Sequence, residues 1–81
     1  MTVTDKDILD CLRTGCRTAP DIVLRLHGLD GTGTARDQVM YRQLRSYYNR
    51  RLRSLTKYRF VRRVGMEQYG STARMAYEVI E

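Results

Sequence analysis

The stretch SYYNRRLRSLTKYRFVRRV, residues 46–64, carries Arg50, Arg51, Arg53, Lys57, Arg59, Arg62 and Arg63 and no acid, while Tyr48, Leu52, Leu55, Phe60, Val61 and Val64 recur through it. Such a segment has to bury one side and present dense positive charge on the other. Neither Gly nor Pro occurs from Ala35 to Val64, so the spacing predicts a helix from near Ala35 to about Lys57. At about 100° per residue, Met40, Tyr41, Leu44, Tyr48, Leu52 and Leu55 share one sector. Arg42, Ser46, Asn49, Arg50, Arg53 and Lys57 fall on the opposite side. The first set is assigned to the core and the second to solvent. Tyr47 and Tyr48 are adjacent and cannot share a face, so Tyr48 goes to the core and Tyr47 to the flank. Arg51 falls within the apolar sector. It is expected to lay its stem along the core edge and to carry its guanidinium to a phosphate or to an acid of the first helix.

Upstream, Thr stands three residues before Asp at Thr4–Asp7, Thr18–Asp21 and Thr34–Asp37. Each pair fits an N-cap hydroxyl facing a first-turn carboxylate, which announces three helices. The first turns Ile8, Leu9 and Leu12 inward and stops at Gly15. The second has Pro20 in its first turn, Ile22, Val23 and Leu26 inward, and Gly28 as its C-cap. GLDGTG, residues 28–33, is too rich in glycine for a helix and lacks the Lys-Ser/Thr of a phosphate-binding loop. Downstream, the period changes toward alternation, and a hairpin is expected with strands at about 60–68 and 74–80 and Gly70, Ser71 and Thr72 at its tip.

The chain has 81 residues and a net charge of +6, which bounds it to one small domain and leaves little room for a substrate-enclosing pocket. Residues 36–63 hold ten basic side chains against one acid, Asp37; that block is +9 and the remainder is −3. A charge so one-sided calls for a polyanion, and nucleic acid is the expected partner. Thirteen of the fifteen basic residues are Arg, whose planar fork suits phosphate and guanine edges. An anionic membrane surface is the weaker alternative, a membrane-binding helix being one that shows Trp, Phe or Leu to the lipid opposite its charge, where here that sector is assigned to the core. No apolar run is long enough to span a bilayer and the acidic start MTVTDKDILD is unlike a secretory signal, so a cytosolic protein is expected, nucleoid-associated in a prokaryote. In that compartment Cys11, read as half-buried, and Cys16, read as a turn residue, are expected to be free thiols. With His27 they fall short of four zinc ligands, so no metal or other cofactor is expected. No base or nucleophile stands in a catalytic constellation, and no enzymatic activity is expected.

Three helices, the third basic, followed by a hairpin, an α+β arrangement, resemble the winged helix-turn-helix family of DNA-binding regulators, over nearly the whole chain. The closest local match is NRRLRSLTKYRFVRR, with MAYEV as the return strand. The resemblance implies that double-stranded DNA is read by the third helix through Ser46, Asn49, Arg50 and Arg53. It also implies a wing that touches phosphate or the minor groove through Ser71, Thr72 and Arg74. Lys57, at the helix end, and Arg74 are placed for backbone contact, Arg63 is a further DNA-binding candidate, and Asn49 and Arg50 are suited to adenine and guanine. The interval from Gly28 to Val61 is longer than the family's usual spacing. The extra residues either extend the third helix at its N-terminus, which the unbroken apolar register favours, or form a separate helix, which would hand base reading to Arg42 or Arg45. KYRF also lacks the Gly usual before the wing. Docking of protein or structured RNA, and non-specific architectural coating of DNA, are the alternatives. Val39, among charges on the outward face, forms with Met40 and Tyr41 a small patch that hints at a homodimer.

Overall fold

A computed structural model describes residues 3–69 and 72–80. Its elements run α1 (Asp5–Arg13), α2 (Ala19–His27), α3 (Ala35–Lys57), β1 (Val61–Tyr69) and β2 (Thr72–Val79). Three helices followed by an antiparallel hairpin make an α+β domain consistent with a winged-helix layout. The longer spacing is resolved as one continuous helix of 23 residues, about 34 Å long at 1.5 Å per residue.

All three Thr–Asp pairs are complete capping boxes. In the first, the Asp7 amide donates to Thr4 Oγ1 at 3.3 Å and the Thr4 amide donates to the Asp7 carboxylate at 2.9 Å. The Thr4 amide and hydroxyl hold the Asp7 carboxyl below its ordinary pKa. Thr34 and Asp37 repeat the exchange, both bonds at 3.2 Å. At the other end of α2, Gly28 takes a left-handed conformation with φ 69°, where a Cβ would be strained.

The exit from α3 proceeds without glycine. The Phe60 amide donates to the Leu55 carbonyl at 2.9 Å and the Arg59 amide to the Thr56 carbonyl at 3.1 Å. This is the paired closure of a Schellman motif, which needs a left-handed residue at Arg59. Arg59 has φ 65°, the one positive φ among the described non-glycine residues.

β1 and β2 pair from Val61↔Val79 to Tyr69↔Thr72, with Val64 as an extra residue between the pairs Arg63↔Tyr77 and Gly65↔Ala76. The strands therefore begin and end within two residues of the expected bounds, and Thr72 opens β2. On its other side β2 is tied to the loop before α2, because the Tyr77 amide donates to the Arg17 carbonyl at 2.7 Å. Arg17 Nε lies 2.8 Å from Glu67 of β1, a second tie.

The core gathers Ile8, Cys11 and Leu12 of α1, Ala19, Ile22 and Val23 of α2, Tyr48, Leu52 and Leu55 of α3, and Val61 and Tyr77 of the hairpin. Leu9, Leu26, Tyr41 and Leu44 pack partly buried against it. Several inward assignments are corrected. Met40 is 41% exposed, because the first turns of α3 extend past the end of the core. Phe60 and Val64 are 55% and 37% exposed; Phe60 follows the Schellman turn and neighbours buried Val61, so it projects to the other side, and Val64 is the bulged residue. Cys11 and Cys16 are both free thiols, and both are buried rather than half-buried or in an open turn. Burial pushes the Cys11 thiol up to about 11, so it stays protonated near neutrality.

Candidate nucleic-acid interface

α3 offers two unlike faces because the apolar residues at helical spacing from Tyr41 to Leu55 turn inward. Tyr48 and Leu52 are fully buried and Leu55 nearly so. Opposite them, Ser46, Asn49, Arg50 and Arg53 line one shallow depression open to solvent. These are the four helix positions implied by the winged-helix resemblance, and successive turns bring them together. Arg50 and Arg53 are exposed and Asn49 is half-buried.

Further along the same helix, Arg42 is exposed and belongs to this face. Arg45 does not: it is half-buried, with its guanidinium carbon 5.5 Å from the centre of the Tyr41 ring. Because residues 35–45 are part of α3, the alternative that gave base reading to Arg42 or Arg45 on a separate helix falls away. Lys57 is exposed at the last turn, with its ammonium 5.9 Å from the Tyr58 ring centre. On the hairpin, Arg63 and Thr72 are exposed, whereas Arg74 is half-buried and stands across from Glu67 in the ladder. Ser71 lies outside the described residues.

Two arginines of the basic block are committed internally. Arg51 donates through Nε to Asp5 of α1 at 3.0 Å and again through a second guanidinium nitrogen. That is the acid of the first helix toward which its position in the apolar sector directed it. Asp5 in turn raises the Arg51 pKa further. Arg62 is held by Glu78 across the hairpin. By contrast, among the described residues Arg36, Arg42, Arg50, Arg53, Arg59 and Arg63 form no ion pair.

The disposition of the acids explains that contrast. Asp7, Asp21 and Asp37 cap helices. Asp5 holds Arg51, Asp10 holds Arg13, Glu67 holds Arg17 and Glu78 holds Arg62. Asp30 accepts from the Thr32 amide and hydroxyl at 3.0 and 2.6 Å, which lowers its pKa. None of these carboxylates lies against the outward face of α3, so the field there is that of uncompensated guanidinium groups.

Behind this face, Tyr48 Oη is 2.6 Å from His27 Nε2. Burial pushes the Tyr48 phenol up to about 12, so it serves as a neutral hydrogen-bonding group that fixes α3 to the end of α2. The sequence puts Tyr48 in the core and, beyond the shortfall of zinc ligands, gives His27 no partner. The signal that links them is that a buried phenol requires a polar partner. Among the described residues, no three His, Cys, Asp or Glu side chains cluster as a metal site, and no helix is long and apolar enough to cross a membrane. No protein-family model matches the chain, and neither a curated protein nor a solved structure matches it.

Proposed function

We propose that the protein binds double-stranded DNA as a small regulator that performs no chemistry, laying the outward face of α3 in the major groove and using the hairpin as a second contact. The observation that carries this reading is the row Arg42, Arg50 and Arg53, exposed along one helix face and unpaired among the described residues. A merely solvated helix would carry acids one turn away from its arginines. An α-helix fits the major groove of B-form DNA, and Arg and Asn are the side chains that meet guanine and adenine edges there. Duplex RNA offers no equivalent groove, since its major groove is deep and narrow.

Fluorescence anisotropy with labelled duplex DNA, duplex RNA and single strands of one sequence tests the proposal. Duplex DNA is expected to bind tightest, with loss of affinity as salt rises. Equal binding to duplex RNA, or no binding to any nucleic acid, would refute it.

A further inference from the structure

The first turns of α3 have a composition of their own. Residues 35, 36, 38–40, 42 and 43 are all exposed, and Val39 stands half out of the surface at 50%. Ala35, Arg36, Val39, Met40 and Gln43 line one shallow depression, separate from that around Ser46, Asn49, Arg50 and Arg53. At about 100° per residue, Val39 points directly away from Tyr48, Ala35 and Gln43 flank it closely, and Arg36 and Arg42 splay about 60° to either side. The strip is thus uncharged along its centre line and basic on both edges.

We propose that this overhanging tip reads bases: Val39, with Ala35 beside it, packs on the 5-methyl groups of thymines, while Arg36 and Arg42 brace against the phosphates of the two strands. The inference rests on the DNA-binding reading and gives it a sequence preference. A helix with its side chains is about 10–12 Å across and the major groove is about 12 Å wide, so a helix enters deeply only where the domain behind it does not collide with the groove walls. The overhang meets that condition. An apolar side chain facing the groove floor finds one apolar partner there, the thymine methyl, and Gln43 next to it is suited to adenine. The two flanking arginines match a groove walled by two phosphate strands.

The test replaces thymine by deoxyuridine, which removes only the methyl group. A preferred site is first selected from random duplexes with the wild-type protein. Deoxyuridine at the contacted positions is expected to weaken wild-type binding about fourfold per methyl lost. Val39→Ala is expected to bind the thymine site correspondingly less well and to be indifferent to the replacement. Helical circular dichroism serves as the folding check, since Ala favours a helix and Val39 is outside the core. Wild-type binding that ignores deoxyuridine, or a Val39→Ala protein that keeps the full penalty, overturns the inference while leaving DNA binding intact. Absence of any duplex binding removes the DNA reading itself. Sedimentation in which Val39→Ala turns a wild-type dimer into a monomer without DNA would assign the patch to a second copy instead, and overturns it too.

Discussion

If the exposed guanidinium groups meet phosphate, the salt dependence of binding should count them. Arg36, Arg42, Arg50, Arg53 and Lys57 on α3, with Arg59 and Arg63 beyond it, are exposed, whereas Arg51 and Arg62 are occupied by Asp5 and Glu78. Allowing for one or two of these to face bases, about five or six phosphate contacts give a slope of log K against log salt of about −4.5 to −5.5. A fourfold rise in salt then weakens binding by about 10³-fold. The assay is anisotropy titration of one duplex across a salt series. Paired variants make it specific to this structure. Lys57→Ala should flatten the slope by about one unit. Arg62→Ala should leave it nearly unchanged, because that guanidinium already has a carboxylate. A wild-type slope shallower than about −2, or equal flattening by the two variants, would refute the argument.

Arg50→Ala should cost about 1–3 kcal/mol on a selected site and much less on scrambled duplex, whereas Lys57→Ala should weaken both alike; competition binding distinguishes them, and equal losses for Arg50→Ala would show a backbone contact only. Arg59→Gly should raise the stability of the free protein by about 0.5–1 kcal/mol in urea, since it relieves a left-handed non-glycine residue, while weakening DNA binding; no gain in stability would mean the Schellman turn is not strained. In alkali, Cys11 and Tyr48 titrate at about 11 and about 12 in the folded protein, above their ordinary values of 9.0 and 10.0. The folded state therefore holds these protons more tightly, so their contribution is fully present below about pH 9 and is lost as pH rises to 12, about 2–3 kcal/mol for each group. Urea midpoints measured across that range should fall, and Tyr48→Phe should remove the fall above about pH 11 while leaving the Cys11 part below it.

The elements were legible because their signals are local. Three Thr–Asp spacings announced three capping boxes, and a gap in Gly and Pro from Ala35 onward announced a single long helix. Arg50 and Arg51 are neighbours in sequence with opposite roles, and helical angle alone separated them: Arg51 turned to Asp5 and Arg50 to solvent. What was not legible depends on where the core ends. Met40 follows the same apolar register as Tyr48, yet the register cannot say where the core ends, and so Met40 is surface, whereas Val39 stands on the outward face its helical angle gave it. The bulge at Val64 shifts the hairpin faces by one residue, which a period-two reading carries straight through. The His27–Tyr48 bond joins residues on different helices and has no local pattern at all.

The overhang and the charge block pose one physical problem between them. The first turns of α3 bury little, with Tyr41 and Leu44 only partly covered, and a short helix without packing is marginal in water. They are held instead by the Thr34–Asp37 capping box, by the Gln38 side chain donating to the Gly33 carbonyl at 3.2 Å, and by the Tyr41 ring lying over Gly31. A Cβ at Gly31 would lie 3.2 Å from that ring, and φ there is +91°, so a side chain at this position would be strained and would press on Tyr41. These contacts hold the start of α3 outside the core without enlarging it. The acids that secure the fold are spent at helix caps, on Arg51, and across the loop and hairpin on Arg17 and Arg62. The outward face of α3 consequently keeps its mutual repulsion in the free protein. If the proposed DNA reading holds, a groove lined by phosphates would remove that repulsion along the same helix, and binding would then stabilise α3 as well.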